Sequence, residues 1–470
     1  MRSRMKIFVL GVFLFGCSGG YKQQPVVERM TLSQDYAELY CGTSRVALTP
    51  YKNTSMAGYA PGNRIASGTY YDKERELFHH LYSRAVVLHN KLEIMPNKKY
   101  MAYVSVDLLI LTDELTARVR KKVGQDTVVN LCATHPHSAI GGYWCCNLPS
   151  IAMGSFDEEN LQYLAEKISQ SILEAKNKLK PAQIGITYSK LENTTKNRRR
   201  KKDPVDTRLT LMHIKDKNNE IMADMVWFAG HPILMPPELW KYSSDFPGAF
   251  ARILEKEQPS SYVALFFQGG LGDVTTRPPR DLWKHIEGRV PQRMAKIEIM
   301  GELIANKVKE ARKEIQLSSS VRLQHYSPQF LLGNVNVNAI PDFLVPLEIV
   351  GRIWVDWGYM PERSNLEIST IDNSLHKIAL ANFPFEISSK LTIDLRKKLE
   401  QHYDIGIVTS LANGWYSYLM HSYSAMWPPS GPEYIESFFD PGYAESVMDY
   451  AYRVAAQMSD NKTLKAKKNH

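Results

Sequence analysis

The sequence predicts an α/β fold in which mixed β-sheets are flanked by helices within a single large domain. Short runs rich in Val, Ile, Phe and Tyr alternate with longer segments whose apolar residues recur at helical spacing. Neither an internal repeat nor a long low-complexity linker divides the 470 residues. Hydrophobic residues make up 44% and charged residues 23%, a globular balance that excludes collagen-like, coiled-coil and mostly disordered chains.

The predicted elements follow from these two periodicities. Strands are predicted over residues 101–106, 127–131, 209–214, 225–229, 262–267, 378–381 and 405–409. A helix is predicted over 158–176, where apolar residues stand at 161, 164, 168 and 172. The same spacing at 297, 300, 304 and 308 predicts a helix before Glu314. Thr112 and Asp113 are typical helix-capping residues, and they predict that a helix over 114–123 begins there.

The N-terminus has the pattern of an exported lipoprotein. Arg2, Arg4 and Lys6 precede an apolar run over 7–15, which is too short to span a bilayer and is typical of a signal peptide. The run ends at Gly16-Cys17, which resembles a bacterial lipobox and predicts lipidation of Cys17; an ordinary signal peptide with a chance cysteine is the alternative. We expect a signal peptide over 1–16, a flexible tether over 17–35, one folded domain over 36–455 and a basic, disordered tail over 456–470. The expected location is the outer membrane, the periplasmic face or the cell surface of a bacterium.

Charge and cysteine usage exclude two kinds of site. The net charge of +9 is concentrated at 198–202 and in the tail, without the interleaved aromatic residues of a nucleic-acid-binding face. Beyond Cys17, the chain has Cys41, Cys132, Cys145 and Cys146. An exported protein can form disulfides, and three pairings of these four thiols stay open. No CxxC pair is present, so a four-thiolate zinc site has no support.

Residues that carry chemistry follow the predicted strands. The strand at 127–131 leads into His135 and His137, which would share one face of an extended segment. The strand at 225–229 leads into His231, and the strand at 262–267 leads into a glycine-rich loop that ends at Thr275. Glu386 follows the strand at 378–381. Each feature alone is modest, because a lone histidine or HxH pair is more often structural than a metal ligand.

Taken in order, these segments resemble the N-terminal catalytic domain of the neutral (non-lysosomal) ceramidases, over roughly residues 38–445. The family's THxHSxxGGY motif corresponds to residues 134–143 and its FAxHP segment to 228–232. Its GDVS loop corresponds to 272–275 and its PxE segment to 384–386. The resemblance implies that the large domain is catalytic.

The resemblance also implies one catalytic zinc ion, held by His135, His231, Glu386 and Tyr418. Nitrogen and oxygen ligands of this kind suit zinc, which keeps one position open for water in hydrolases. A tyrosine ligand is unusual, and Tyr416 stays an alternative because it lies two residues away, on the same face of an extended chain.

The implied catalytic residues are His137, Arg198 and Thr275. His137 matches a non-ligand histidine of the family's active site. Arg198 matches an active-site arginine, although the basic run at 198–202 is also compatible with a solvated loop. Thr275 stands where the family has its catalytic serine, so the hydroxyl is kept and a methyl group is added.

Two further departures concern the C-terminal part. The family's EYxxQxYE segment is degraded over 433–440, and the tyrosine expected to stabilise the oxyanion falls on Phe439, with Tyr434 or Tyr443 as substitutes. The family's C-terminal immunoglobulin-like domain is expected to be absent. The expected protein is a monomeric, zinc-dependent amide hydrolase of sphingolipid metabolism, which cleaves ceramide or a related N-acyl lipid by zinc-activated water. The alternatives are a zinc hydrolase of a different amide or ester, and a surface lipoprotein that binds a lipid or another ligand on a decayed hydrolase scaffold.

Overall fold

The computed structural model describes residues 23–27, 32–50, 52–59, 64–73, 75–145, 150–332, 336–337, 353–354, 361–422, 439 and 442–460. The predicted signal peptide and Cys17 lie outside these residues, as do Cys146, Tyr434 and the chain after residue 460. Cys41 and Cys132 are buried thiols that are not bonded to each other.

The strands alternate with helices along most of the chain. In chain order the strands are β1 (Ala37–Glu38), β2 (Tyr40–Ala47), β3 (Met56–Ala57), β4 (Tyr71–Asp72), β5 (Leu77–Phe78), β6 (Tyr82–His89), β7 (Tyr100–Val106), β8 (Thr127–Ala133), β9 (Ala139–Ile140), β10 (Lys180–Lys190), β11 (Thr195–Asn197), β12 (Arg208–Asp216), β13 (Ile221–Phe228), β14 (Val263–Gln268), β15 (Val274–Thr276), β16 (Ser320–Tyr326), β17 (Gln329–Leu331), β18 (Asn336–Val337), β19 (Ile353–Trp354), β20 (Arg363–Asn365), β21 (Glu367–Asp372), β22 (Lys377–Asn382), β23 (Glu386–Ile387), β24 (Ile405–Thr409) and β25 (Tyr418–Leu419). The helices are α1 (Asp113–Val123), α2 (Ser150–Met153), α3 (Glu158–Asn177), α4 (Asp245–Lys256), α5 (Arg289–Ala311), α6 (Ser389–Leu399) and α7 (Tyr443–Asp460). Short 3-10 turns lie at Arg280–Leu282 and Arg312–Glu314.

Two large sheets form the centre of the fold. The first has the strand order β14-β13-β12-β10-β2-β6-β7-β8, and the second has the order β1-β16-β21-β22-β24. Both are mixed: β7 and β8, β13 and β14, and β22 and β24 pair in parallel, whereas the other neighbours within these sheets are antiparallel. The predicted class, mixed sheets flanked by helices in one large domain, is therefore confirmed, as is each of the seven predicted strands.

The two sheets pack face to face, and helices cover their outer faces. Met101 and Leu265 of the eight-stranded sheet share one buried apolar cluster with Leu380 of the five-stranded sheet. Helix α3 packs on β2 and β6, α4 packs on β14 and α5, and α6 packs on β24 and α7. Strands β8 and β14 are buried on both faces. Their sequences are therefore nearly continuously apolar, whereas a strand with one solvent-exposed face would alternate apolar and polar residues.

Local signals set the ends of the first helix as expected. Thr112 caps α1, since its side-chain oxygen accepts a hydrogen bond from the backbone N–H of Leu115 at 3.1 Å. Such a cap typically contributes about 1 kcal/mol to helix stability. Gly124 follows the helix with φ 100°, a conformation that glycine adopts without strain.

The predicted tether over 17–35 is too long. Gln24 is buried and exchanges two 3.0 Å hydrogen bonds with the backbone of Leu331. Arg322 donates to the side-chain oxygen of Gln34 at 3.0 Å, and Leu32 packs against the core. The described parts of this segment, 23–27 and 32–36, thus contact the domain because their amides and apolar side chains find partners there.

The predicted boundary between the domain and its tail, at residue 455, is too early. Helix α7 continues to Asp460, and Met458 is buried in the cluster that α7 forms with α6. Apolar residues at helical spacing therefore extend past the boundary that the basic composition suggested. In the part of the chain that the structure describes, no helix is both long and apolar enough to cross a membrane.

Candidate metal centre

Three histidines are oriented by backbone carbonyls at the ends of the central strands. The Nδ1 of His135, just after β8, lies 2.6 Å from the carbonyl oxygen of Leu109. The Nδ1 of His137 lies 2.7 Å from the carbonyl oxygen of Gly58. Because a carbonyl oxygen can only accept a hydrogen bond, each Nδ1 carries the proton, and the lone pair of each neutral ring lies on Nε2.

His231, just after β13, is held in the same way. Its Nδ1 donates to the carbonyl oxygens of Leu271 at 2.9 Å and Val274 at 3.1 Å, both in the loop between β14 and β15. Metal-binding histidines are commonly fixed by such a bond from the second ring nitrogen. The three imidazoles therefore have the tautomer that a metal bound at Nε2 requires.

The free nitrogens converge with a carboxylate. Atoms that could bind a metal on His135, His137 and His231 all lie within 4.8 Å of one another. The Nε2 atoms of His135 and His137 are 3.3 Å apart. The Oε2 of Glu386 lies 3.2 Å from Nε2 of His231 and 3.5 Å from Nε2 of His135. This oxygen is buried and, among the described residues, accepts no hydrogen bond. Lone pairs that face one another at this range repel unless a cation or a proton lies between them.

Burial keeps the histidines neutral and the carboxylate charged. Burial, together with the nearby Arg198 guanidinium, lowers the pKa of His231 to about 3. Burial and the two neighbouring imidazoles lower the pKa of His137 well below its usual value. Burial alone would raise the pKa of Glu386, but His135, His231 and the Trp415 N–H lower it far below its usual range. Neutral imidazoles beside an ionised carboxylate form a donor set suited to a divalent cation such as zinc.

Two short parallel strands bring Glu386 and Tyr418 together. In the β23–β25 ladder Glu386 lies directly opposite Tyr418. Trp415 donates from Nε1 to the second carboxylate oxygen of Glu386 at 3.0 Å, which fixes the orientation of that group. The hydroxyl of Tyr416 instead contacts both carboxylate oxygens of Asp113 at 2.8 Å. Of the two candidate tyrosines, Tyr418 therefore faces the cluster.

Arg198 is part of the cluster although it begins a basic run. Its Nη2 donates to Nε2 of His231 at 3.3 Å, to the hydroxyl oxygen of Tyr418 at 3.2 Å and to the carbonyl oxygen of Gly272 at 3.0 Å. Its backbone N–H bonds to the carbonyl of Asp273 at 2.8 Å. These contacts hold the guanidinium at the edge of the cluster, so Arg198 does not belong to a solvated loop.

Thr275 lies beside the cluster on β15. It is half-buried, stands opposite Lys196 and forms an isolated parallel bridge with His231. The neighbouring Thr276 donates from its hydroxyl to the carbonyl oxygen of His231 at 2.8 Å. β15 therefore fixes the main chain of His231 while the Thr275 side chain lines an adjoining cavity.

Phe439 and Tyr443 lie in the core beside α7. The Phe439 ring stacks on Tyr443 with centroids 4.4 Å apart and meets Phe385 edge-on at 5.7 Å. The hydroxyl of Tyr443 donates to the carbonyl oxygen of Leu331 at 3.1 Å. These contacts do not support Tyr443 as a substitute for the family's tyrosine, since its hydroxyl is engaged in the core.

Several residues that support the site had no role assigned from the sequence. Trp415 had no assigned role, although it stands three residues before Tyr418. Asp245 is fully buried and accepts hydrogen bonds from the backbone N–H groups of Met235 at 2.8 Å and Phe246 at 2.7 Å, so it holds the loop that follows His231. The backbone acceptors Leu109 and Gly58 could not be found from residue type, because every residue has a carbonyl group.

Comparisons with known proteins identify the family of this chain. A family model described as "Neutral/alkaline non-lysosomal ceramidase, N-terminal" matches residues 41–279. The neutral ceramidase of Oryza sativa subsp. japonica is 27% identical over 226 residues, which are 44% of this chain and 27% of that protein. The neutral ceramidase of Pseudomonas aeruginosa is 24% identical over 214 residues, 41% of this chain and 31% of that protein. The matched segments thus cover less than a third of either relative.

The fold is shared more widely than the sequence. The crystal structure of neutral ceramidase from Pseudomonas aeruginosa superposes with a TM-score of 0.75 at 16% identity, covering 90% of this chain and 75% of that one. This similarity concerns the fold alone. Because the family model matches half of the sequence, the chain belongs to the neutral/alkaline non-lysosomal ceramidase family.

Proposed function

We propose that the protein is a zinc-dependent hydrolase that cleaves the N-acyl amide bond of ceramide or a related N-acyl lipid. The ligands would be His135, His231, Glu386 and Tyr418. The observation that carries the proposal is the buried, unpartnered Oε2 of Glu386, which faces the unprotonated Nε2 atoms of His135 and His231 at 3.5 and 3.2 Å. Family membership adds the amide-hydrolase chemistry.

The residues around the ligands suit hydrolysis of an amide. When bound, zinc supplies a Lewis acid that activates water and polarises a carbonyl group. Nε2 of His137 is unprotonated and can accept a proton from the attacking water, then return it to the leaving amine. Arg198 and the hydroxyl of Thr275 are donors at the edge of the site, where negative charge develops on the carbonyl oxygen.

Metal content and turnover test the proposal together. We expect about one zinc per chain in the purified protein and hydrolysis of a fluorescent N-acyl sphingosine. His231→Ala should lose most of the metal and the activity, because the site has few protein ligands. The control is His285→Ala, which changes an exposed histidine and should keep both. Circular dichroism checks that both variants fold.

Two outcomes would contradict parts of the proposal. Full zinc content in His231→Ala, measured by elemental analysis, refutes the ligand assignment. Zinc binding without turnover favours the alternative of a lipid-binding lipoprotein on a decayed hydrolase scaffold, for which Phe439 in place of the family's tyrosine is the specific support.

We further propose that the protein is an exported lipoprotein whose acylated Cys17 anchors it to a membrane. The proposal rests on the sequence of residues 2–17, which lie outside the described residues. Two or three acyl chains hold a protein firmly at a bilayer, whereas one holds it weakly. Cys17→Ser should abolish acylation and membrane retention; an acylated variant in the membrane fraction would refute the assignment.

A further inference from the structure

A cationic cleft adjoins the candidate metal centre. Its volume is about 340 Å³, and it lies between the end of β15, the loop after His231 and the first turns of α5. Ligand pockets typically measure about 300–1,000 Å³, so this cleft has room for a polar head group and not for a whole lipid. Thr275 and Thr276 form one wall, which makes the cleft continuous with the strand that holds His231.

Among the described residues, four cations and no acid line this cleft: Arg277, Arg280, Arg293 and Lys296. The guanidinium of Arg293 is occupied, because it donates to backbone carbonyls of the loop after His231, including Leu234 at 2.8 Å. Among the described residues, no ion pair involves Arg277, Arg280 or Lys296. Two acids that are near these cations in the sequence have other partners: Asp281 pairs with Lys284, and Glu298, two residues after Lys296, pairs with Arg252.

The position of Lys296 indicates that the described lining of the cleft supplies no counter-charge. Its Nζ lies 3.5 Å from the centroid of the Trp283 ring, and among the described residues it has no carboxylate partner. Burial, together with the positive charges of Arg293 and Arg277, lowers the pKa of Lys296. Like charges held together in a partly desolvated cleft repel, so an anion that enters it relieves the repulsion.

We propose that the cleft binds an anionic group carried by the substrate, so that the preferred substrate is an N-acyl lipid bearing a phosphate or a similar oxyanion rather than neutral ceramide. This inference rests on the proposed function, since it places the amide bond of the same molecule beside Thr275. Arginine and lysine are the residues that bind such oxyanions most strongly, and a tryptophan wall packs against the carbon atoms next to the charge.

The test compares two lipids that differ only in the anion. N-acyl sphingosine and its 1-phosphate are presented in neutral detergent micelles, and kcat and KM are measured with calorimetric binding in parallel. We expect the wild-type protein to bind the phosphate form at least tenfold more tightly. Arg277→Gln/Lys296→Gln should raise the KM for the phosphate form about 10–100-fold through lost charge-assisted hydrogen bonds, and leave the KM for the neutral form unchanged.

The control is Lys307→Gln, on the same helix but about 16 Å along its axis from Lys296. It removes one positive charge, where the double variant removes two, and it should change neither constant. A high salt concentration should weaken binding of the phosphate form by the wild-type protein more than binding by the double variant.

The remaining outcomes separate the inference from the function on which it rests. If the KM values for the two lipids are equal in the wild-type protein, and also in the double variant, the inference is wrong. Turnover of the lipids would in that case still support the proposed function. Tight, cleft-dependent binding of the phosphate form without turnover of either lipid upholds anion binding and contradicts the function. The double variant could instead keep both KM values and fail to sediment with phosphatidylglycerol vesicles. The cleft would then contact a membrane surface, and the inference would be wrong.

Discussion

The Nε2 atoms at the candidate centre are unprotonated because backbone carbonyls, not acidic side chains, accept hydrogen bonds from the Nδ1 atoms. His135 shows the cost of this arrangement, because its φ of 74° is uncommon for a residue with a side chain. Two hydrogen bonds hold it there, from its backbone N–H to Leu108 at 3.0 Å and from its ring to Leu109 at 2.6 Å. Strain of this kind typically costs about 1–3 kcal/mol and clusters at functional sites.

Thr275 offers a test of catalysis at the scale of one hydroxyl. Thr275→Val is nearly isosteric and removes only the donor, so we expect intact folding and zinc binding, and turnover lowered about 10²–10³-fold if the hydroxyl stabilises the oxyanion. Thr275→Ser keeps the hydroxyl and should retain activity. The measurements are kcat on N-acyl sphingosine, zinc content and melting temperature.

A structural threonine would give a different pattern. Thr275→Val would then hydrolyse the lipid as fast as the wild type, and any effect would be confined to the melting temperature. That result would remove Thr275 from the catalytic residues.

At the scale of elements, the loop after β3 positions the site because its backbone packs directly against the backbone of the segment after β8. Gly58 follows β3 and has φ 112°, and its carbonyl oxygen accepts the bond from the ring of His137. A Cβ atom at Gly58 would lie only 2.3 Å from the Cα of His137. The loop after β3 can therefore touch the segment after β8 only if residue 58 is glycine.

This contact predicts a selective defect in Gly58→Ala. The added methyl group must displace His137, so we expect lost turnover together with lower stability. Gly68→Ala is a matched control, because Gly68 has a similar φ of 104° and no atom lies within 4 Å of its Cβ position. It should share the backbone strain, about 1–2 kcal/mol, without the loss of turnover. Equal turnover in the two variants would contradict the role of the contact.

At the scale of the whole molecule, the face-to-face sheets and their covering helices bury many titratable groups. His79 is one of these outside the candidate centre. Its Nδ1 lies 3.0 Å from the hydroxyl oxygen of Ser243, and its ring meets that of Tyr70 edge-on. Burial, with a smaller contribution from Arg252, lowers the pKa of His79 to about 3. The Glu298 carboxylate, whose Oε1 lies 3.6 Å from Nε2 of His79, favours the protonated ring and therefore opposes this shift.

The protein should therefore become less stable as the pH falls below about 6.5. Above that pH, His79 is neutral in both the folded and the unfolded chain. Between pH 6.5 and 3 the unfolded chain takes up the proton more readily than the folded chain, so this one group lowers the free energy of unfolding by at most about 2 kcal/mol at pH 5. Urea unfolding at pH 7.5 and 5 measures the difference, which His79→Gln should reduce. His285→Gln, at an exposed position, should leave it unchanged; the same slope in both variants would contradict the prediction.

The sequence by itself determined the elements and the identity of the chemical groups. The strands over 101–106 and 405–409 and the cap at Thr112 follow from local patterns, and the set of His135, His231 and Glu386 is implied by the family resemblance of the motifs after those strands. The patterns that predict strands and caps are local, because side-chain periodicity and capping involve residues only a few positions apart. The errors at the tether and at the tail had the same origin, since composition cannot report contacts such as that of Gln24 with Leu331.

Only the tertiary structure decided which of these groups meet. The choice between Tyr418 and Tyr416 depends on the β23–β25 ladder and on Asp113, which is about 300 residues away in the chain. The tautomers depend on carbonyls that residue type does not reveal. The cationic cleft lies between β15 and α5, where the fold brings Arg277 and Lys296 together and the described lining includes no acid. Orientation, burial and uncompensated charge arise between distant segments, so local sequence does not specify them.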